Sequence, residues 1–359
     1  MSSIPTLPGI RSEMIDTPRL QMHALFSGPE DGIPVIFLHG NASSATFWEE
    51  IMLKLPAGYR GIAVDLRGYG DTEDLRIDAT RGYGDWVDDV NAFTDTLGID
   101  SYHAIGHSLG GSLVFSLIAA DSRKIRTATL VNPGSPYGFG GTKDLVGTPN
   151  YPDFAGSGGG VVNPDFPKLI AEGDRSESNP QASPRVVMNS FYWKPPFHPE
   201  REEDLLSSLM SEKIGPEKYA GDLTPSENWP NVAPGKWGPI NASSPKYIGD
   251  TVERFLAANP KPPILWIRGD SDQIVSDNSF FDIGTLGKLE LVPGWPGDEV
   301  FPPQPMVSQT RAVLEEYQDH GGSYEEVVMV DTAHTPYVEK PNVFMEHFAE
   351  FLQEHSGNE

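Results

Sequence analysis

Gly106-His107-Ser108-Leu109-Gly110-Gly111 sets a serine among glycines, between the apolar run that starts at Tyr102 and the helix-like LVFSLIAA. A serine in a G-x-S-x-G turn from strand to helix is a candidate nucleophile, because the sharp turn lifts its Oγ clear of the backbone. Gly106 and Gly110 are required there, since side chains would collide with neighbouring backbone. The turn also brings the Leu109 N–H to a helix N-terminus, where it can donate to a developing oxyanion. A serine hydroxyl needs a base to take its proton, and the base needs a carboxylate to orient it. His334 is the candidate base, lying in DTAHTPYVEKP after a late apolar run and before the closing helix. His320 precedes a Gly-Gly turn, His347 and His355 lie on or beyond the last helix, and His107 is expected to point away from the serine. The acid is sought in GDSDQIV, Gly269 to Val275. Asp270, at the strand end, suits a turn cap. Asp272, further out, is better placed to meet Nδ1 of His334 and is the favoured acid. A second oxyanion N–H falls to Asn41, in the loop His39-Gly40-Asn41-Ala42 that follows IPVIFL.

These residues need a scaffold that brings loops from distant parts of the chain together. Short apolar runs at Ile33–Leu38, Gly61–Leu66, Tyr102–His107 and Ile125–Val131 alternate with longer helical patterns, and two more follow Pro262 and Glu325. Such alternation marks βαβ units around a parallel sheet. One helix is predicted over Asp85–Leu97, with Trp86, Val90, Phe93 and Leu97 on one face, Asp85 as N-cap and Gly98 as stop. A closing helix, NVFMEHFAEFL, carries Val343, Phe344, Phe348 and Leu352 on one face. From Ser135 to Pro260 the character changes: this stretch holds 17 of the 33 prolines, too many for regular elements and, at 126 residues, too long for one loop. It reads as an inserted cap of short helices and irregular turns. The expected division is a first core part at 1–134, the cap at 135–260, and a second core part at 261–359 that carries an insertion over about 276–322. RGYGD occurs at Arg67–Asp71 and again at Arg81–Asp85, a coincidence in a glycine-rich chain.

Composition limits the alternatives. The chain has 359 residues and a net charge of −25, which disfavours nucleic acid and anionic membrane as partners. With no cysteine, a disulfide scaffold, a zinc–thiolate site, an iron–sulfur cluster and a Cys nucleophile are all excluded. No HExxH or clustered ligand spacing suggests a metal. The first twenty residues lack a basic start followed by an apolar run, and no stretch approaches the length of a membrane span, so a cytoplasmic location is expected. Asn41-Ala42-Ser43 and Asn241-Ala242-Ser243 match glycosylation acceptors and are discounted, there being no signal peptide.

HGN at 39–41, DLRGYGDT at 65–72, GHSLGG at 106–111, GDSDQIV at 269–275 and AHTPYVEKP at 333–341 together resemble the α/β-hydrolase superfamily, in its serine-nucleophile, esterase-like form with an inserted cap. The resemblance covers about 1–134 and 261–359, with serine, acid and histidine in the family order. It implies an α/β fold with a mostly parallel eight-stranded sheet flanked by helices and a mainly helical or irregular cap. It also implies a Ser–His–Asp triad of Ser108, His334 and Asp272, and no cofactor. Ser108 argues against the epoxide hydrolases and haloalkane dehalogenases, which carry Asp at that position. HGNAS does not reproduce the HGGPG of proline iminopeptidases. Some relatives place the acid one strand earlier, where this chain has Asn132-Pro133. The 62 residues from Asp272 to His334 are more than is usual, which the insertion around Trp295 accounts for. The expected function is hydrolysis of a small-molecule carboxylic ester through an acyl-enzyme. Lactonase, amidase, thioesterase and C–C bond hydrolase share the triad, a cofactor-free haloperoxidase is a further option, and a ligand-binding receptor on the same scaffold is the non-enzyme alternative. Phe191, Tyr192, Trp193, Trp229 and Trp237 either line a pocket or form plain cap core.

Overall fold

The computed structural model describes residues 4–356. Eight strands form one sheet: β1 (Arg11–Asp16), β2 (Gln21–Ser27), β3 (Ile33–Leu38), β4 (Tyr59–Val64), β5 (Tyr102–His107), β6 (Ile125–Val131), β7 (Ile264–Gly269) and β8 (Tyr324–Met329). Their spatial order is β1-β2-β4-β3-β5-β6-β7-β8. β2 runs antiparallel to β1 and β4, and every other pairing is parallel. The alternation of side chains along the strands divides the core between the two faces of the sheet. Val35, Phe37, Ala63, Ile105, Leu265 and Ile267 join one cluster, while Ile36, Leu38, Ile62, Ala104, Ala128 and Trp266 join the other. Strands covered on both faces must be apolar at every position, which is why the central runs were readable as continuous. β1 and β2 had no such signal. β1 is an exposed edge bearing Arg11 and Glu13, and charge there protects the sheet against pairing with another chain.

Helices cover both faces. On one, α1 (Gly84–Thr96) buries Trp86, Val90 and Phe93, and α2 (Leu109–Asp121) is buried at every position from Leu109 to Ile118. A helix covered all round has no polar face, and apart from Ser112 and Ser116 the buried stretch of α2 is apolar or glycine. Asp85 is not the N-cap: Tyr83 occupies that position, and Asp85 sits inside the first turn, where Oδ2 accepts the Asp78 N–H at 2.9 Å. Gly98 ends α1 as expected, with φ +67° and its N–H on Asp95 O.

Between β6 and β7 lie α3 (Asp165–Glu172), α4 (Glu202–Leu209), several single-turn helices, and two small ribbons pairing Thr142–Lys143 with Thr148–Pro149 and Leu223–Pro225 with Val232–Pro234. The ribbons are an addition to the helical and irregular content expected there. α5 (Thr251–Leu256) returns to the sheet layers, where Phe255 meets Phe115 edge-on at 5.0 Å and stacks on Tyr317 at 4.6 Å. Tyr317 belongs to α6 (Met306–Asp319), which buries Val313 and Leu314 in the same cluster. The segment expected as an insertion therefore also supplies the crossover helix that two parallel neighbours, β7 and β8, need. Its irregular part packs outward, Trp229 Nε1 donating to Pro293 O at 2.8 Å. α7 (Pro341–Glu354) closes the opposite face with Phe344, Phe348 and Leu352. Among the described residues no helix is long and apolar enough to cross a membrane.

The chain leaves β3 for β4 on one side and continues through β5 on the other, so the crevice between the carboxyl ends of β3 and β5 is a topological switch point, where ligands of open α/β sheets bind.

His103 on β5 is a buried test of this core. It is 1 % exposed, and its Nδ1 pairs with Thr127 Oγ1 at 2.8 Å. Burial, helped by Arg126, lowers its pKa to about 4 from an ordinary 6.5. The unfolded chain takes up a proton from about pH 6.5 downward and the folded chain only near pH 4, so this contribution is intact above 6.5 and lost on acidification between the two. Urea unfolding at pH 7 and pH 4.5 should show the wild type losing more stability than His103→Asn, by up to about 3 kcal/mol. Equal losses would contradict the assignment.

Candidate active site

Ser108 joins β5 to α2 with φ +53° and ψ −117°, a left-handed backbone that costs a non-glycine residue about 1–3 kcal/mol. Its surroundings hold it there. The Ser108 N–H donates to Val131 O at 2.9 Å, and Ser108 O accepts the Ser112 N–H at 3.0 Å. A Cβ on Gly106 would stand 2.1 Å from Gly110 O, and one on Gly110 would stand 2.3 Å from Leu38 O. The two glycines let β5, α2 and the end of β3 approach one another at backbone contact distance.

The loop after β3 lies directly against this turn. A Cβ on Gly40 would be 2.9 Å from His107 Nδ1 and 3.0 Å from Ser108 Cβ. His39 is buried and its pKa is pushed down by that burial, so the ring is neutral. Its Nε2 accepts the Leu66 N–H at 3.0 Å, which leaves Nδ1–H to donate to Gly40 O at 2.7 Å. Asp65 ties the next loop in: Oδ1 accepts from Ala45 N, and Oδ2 accepts from Asp71 N and His23 Nδ1, all within 2.8 Å. The Asn41 N–H makes no backbone hydrogen bond, and Leu109, first in α2, has no intrahelical acceptor. Tyr69 donates its hydroxyl to Asn41 Oδ1 at 2.9 Å, and Tyr192 donates to Ala42 O at 2.9 Å.

His334 and Asp272 meet, with Nδ1 and Oδ2 2.8 Å apart and both residues buried. Asp272 is fully engaged: Oδ2 also accepts from Asn132 Nδ2 at 2.7 Å, and Oδ1 accepts the N–H groups of Ile274 and Val275 at 2.8 and 3.1 Å. Asp270 caps the neighbouring turn instead, accepting the Asp331 N–H at 2.9 Å. No hydrogen bond joins Ser108 Oγ to His334. Their backbones are coupled through His107, whose Nε2 donates to His334 O at 2.8 Å and whose ring centroid lies 4.5 Å from that of His334. Burial, then the neighbouring His334, hold His107 well below its ordinary pKa. The loop carrying His334 is pinned at both ends: Glu339 Oε1 accepts the Ala333 N–H at 2.6 Å, and the Thr335 N–H donates to Tyr192 O at 2.7 Å.

Sequence reasoning missed Asn132, His107, Tyr69 and Glu339 as supporting groups. DLRGYGDT and AHTPYVEKP drew attention to two of them, and Asn132 stands at the strand end where an acid was sought. Of the aromatics between β6 and β7, Tyr192 lies with its ring centroid 6.3 Å from that of His334. Trp229 packs on Phe301 at 4.9 Å, and Trp237 lies under Arg76 at 4.4 Å. Among the described residues no group of three His, Asp or Glu side chains is arranged to hold a metal.

Two substitutions test this packing. Gly110→Ala forces backbone apart and should cost about 3 kcal/mol or more in urea unfolding, and an unchanged midpoint would refute the close approach. Asn132→Ala strips one donor from a buried carboxylate and should cost about 1.5–3 kcal/mol, a loss that would be missing if Asn132 were a bystander.

Comparison with known proteins follows the same lines. A family model described as the alpha/beta hydrolase fold matches residues 33–280. The chain is 33 % identical over 129 residues to the uncharacterized carboxylesterase nap of Bacillus subtilis (strain 168), covering 35 % of this chain and 42 % of that protein. It is 38 % identical over 111 residues to a non-heme chloroperoxidase of Streptomyces lividans, covering 30 % and 40 %. Each match thus spans less than half of the relative's length. Among solved structures, naproxen esterase from Bacillus subtilis superposes with a TM-score of 0.54 at 19 % identity, covering 98 % of this chain and 92 % of that one. A thermophilic esterase from Thermogutta terrifontis gives 0.56 at 18 %, covering 96 % and 99 %. With the family model matched across most of its length, this chain belongs to the α/β hydrolase fold family.

Proposed function

We propose that this protein is a carboxylic-ester hydrolase that works through an acyl-enzyme on Ser108, with His334 as base and Asp272 as its orienting acid. The observation that carries the reading is the buried 2.8 Å bond from His334 Nδ1 to Asp272, on two loops that converge beside the strained turn at Ser108. Because Nδ1 donates to the carboxylate, Nε2 is left as the free basic nitrogen. Ser108 Oγ attacks the ester carbonyl carbon and its proton passes to His334 Nε2. The N–H groups of Asn41 and Leu109 stabilise the tetrahedral oxyanion, a contribution of about 100- to 1000-fold in rate per donor. Collapse of the intermediate breaks the bond to the alcohol oxygen, which takes the proton from Nε2. Water then attacks the acyl group by the same route, releasing the acid and restoring Ser108. Asp272 stabilises the imidazolium without accepting its proton.

Residues 135–260 act, on this reading, as a cap over the carboxyl ends of the strands, with Tyr192 as the link between cap and site. Small-molecule esters are the substrates. The carboxylesterase names among the relatives support this choice.

The test is Ser108→Ala, assayed on short p-nitrophenyl esters and by fluorophosphonate labelling. The wild type should label at Ser108 and turn over ester, and the variant should lose labelling and at least about 1000-fold of kcat. Retained turnover in the variant would overturn the mechanism.

A further inference from the structure

A second serine, used by no step above, stands in line with a histidine and a buried carboxylate. Ser12 is exposed on the edge strand β1. In the register of β1 on β2 it lies opposite Leu25, which makes His23 its diagonal neighbour on the same face. Ser12 Oγ and His23 Nε2 are 2.7 Å apart, and so are His23 Nδ1 and Asp65 Oδ2. His23 and Asp65 are 6 % and 2 % exposed, so the couple behind the serine is shielded from water. It is also held by the backbone: the His23 N–H donates to Thr72 Oγ1 at 3.0 Å, and the Asp65 N–H donates to His23 O at 2.9 Å. Burial opposes the charge on Asp65, but the bond to His23 outweighs it and holds the carboxyl below its ordinary range. An ionised carboxylate only accepts, so in the neutral ring Nδ1 carries the proton and Nε2 turns its lone pair toward Ser12. Burial likewise pulls the His23 pKa down, and Asp65 outweighs it, which leaves His23 a stronger base than an ordinary histidine.

We propose that Ser12 is a second nucleophile, with His23 as its base and Asp65 as the orienting carboxylate, and that it takes an acyl group from small activated esters. Ser12 Oγ attacks the carbonyl carbon of an aryl ester and its proton passes to His23 Nε2. The bond to the aryl oxygen breaks, releasing the phenolate and leaving an ester on Ser12. The imidazolium, paired with Asp65, then gives its proton to solvent. Exposure on an edge strand lets the donor arrive directly from water, so the step needs no pocket. A serine without a base is close to inert at neutral pH, and a positioned base contributes about 100-fold or more. The inference does not rest on the reading of Ser108, because removing that serine touches none of Ser12, His23 and Asp65.

Acetylation by p-nitrophenyl acetate tests this in the full chain carrying Ser108→Ala, which keeps hydrolysis from consuming the donor. The reaction runs for hours at mildly alkaline pH with the donor in excess, is quenched in acid, and is read by peptide mass spectrometry. Ser176 and Ser178 are exposed, and their hydroxyls meet each other at 2.7 Å rather than a base, so they report the unassisted rate. Ser12 should be acetylated at least about tenfold faster than either of them, and His23→Gln should bring that ratio to about one. Equal rates in the folded protein, or an excess that survives in His23→Gln, would overturn the proposal. A second arm changes no residue of the three: in urea above the unfolding midpoint the chain keeps its local sequence and loses the line from Ser12 to Asp65. The excess at Ser12 should vanish there. Its persistence would assign the reactivity to sequence neighbours of Ser12, and the proposal would fail.

Discussion

Everything at the site depends on one close approach of backbone to backbone. Ser108 holds a left-handed conformation only because Gly106 and Gly110 let β5, α2 and the end of β3 meet with no side chain between them. Close packing of this kind leaves the turn no lower-energy alternative, and the strain is over-determined by its neighbours rather than relieved. The switch in strand order between β3 and β5 puts the Asn41 loop against that turn, so one sheet topology positions two structures that are far apart in sequence.

Around this contact lies a shell of buried polar groups, each with a definite partner. His39 bridges Gly40 and Leu66, Asp65 gathers Ala45, Asp71 and His23, and Asn132 holds Asp272. In a low-dielectric interior such bonds are costly to leave unmade, so they specify loop positions more sharply than apolar packing does. His107 extends the shell from the serine turn to the loop that carries His334.

The central strands were legible because a strand covered on both faces must be apolar at every position, and β3 and β6 were read to the residue. β1 was not, because an edge strand shares its composition with exposed loops, and β2, though buried between β1 and β4, breaks its apolar run with Gln21, His23 and Ser27. The end of α1 was readable from Gly98, whereas its start was not: Asp85 has the chemistry of an N-cap, but its carboxylate is drawn to Asp78 N and Arg81 across the turn. The segment around Met306–Asp319 looked like part of an insertion because its helix is polar on one side, and only its burial against Phe255 gives it a place in the sheet layers.

By itself the sequence determined which residue types were available for the chemistry: a serine in a turn only glycines permit, late histidines, and two aspartates after β7. Local sterics and side-chain chemistry are properties of short segments, so they can be read from short segments. Between Asp270 and Asp272 the sequence offered a preference only; tertiary structure places Asp272 against His334 Nδ1 and Asp270 on the Asp331 N–H. It alone brought Asn132 to Asp272, His107 to His334 O and Tyr69 to Asn41. Those outcomes depend on which loops converge, and convergence is set by strand order and close packing over distances of a hundred residues and more, which no local pattern records.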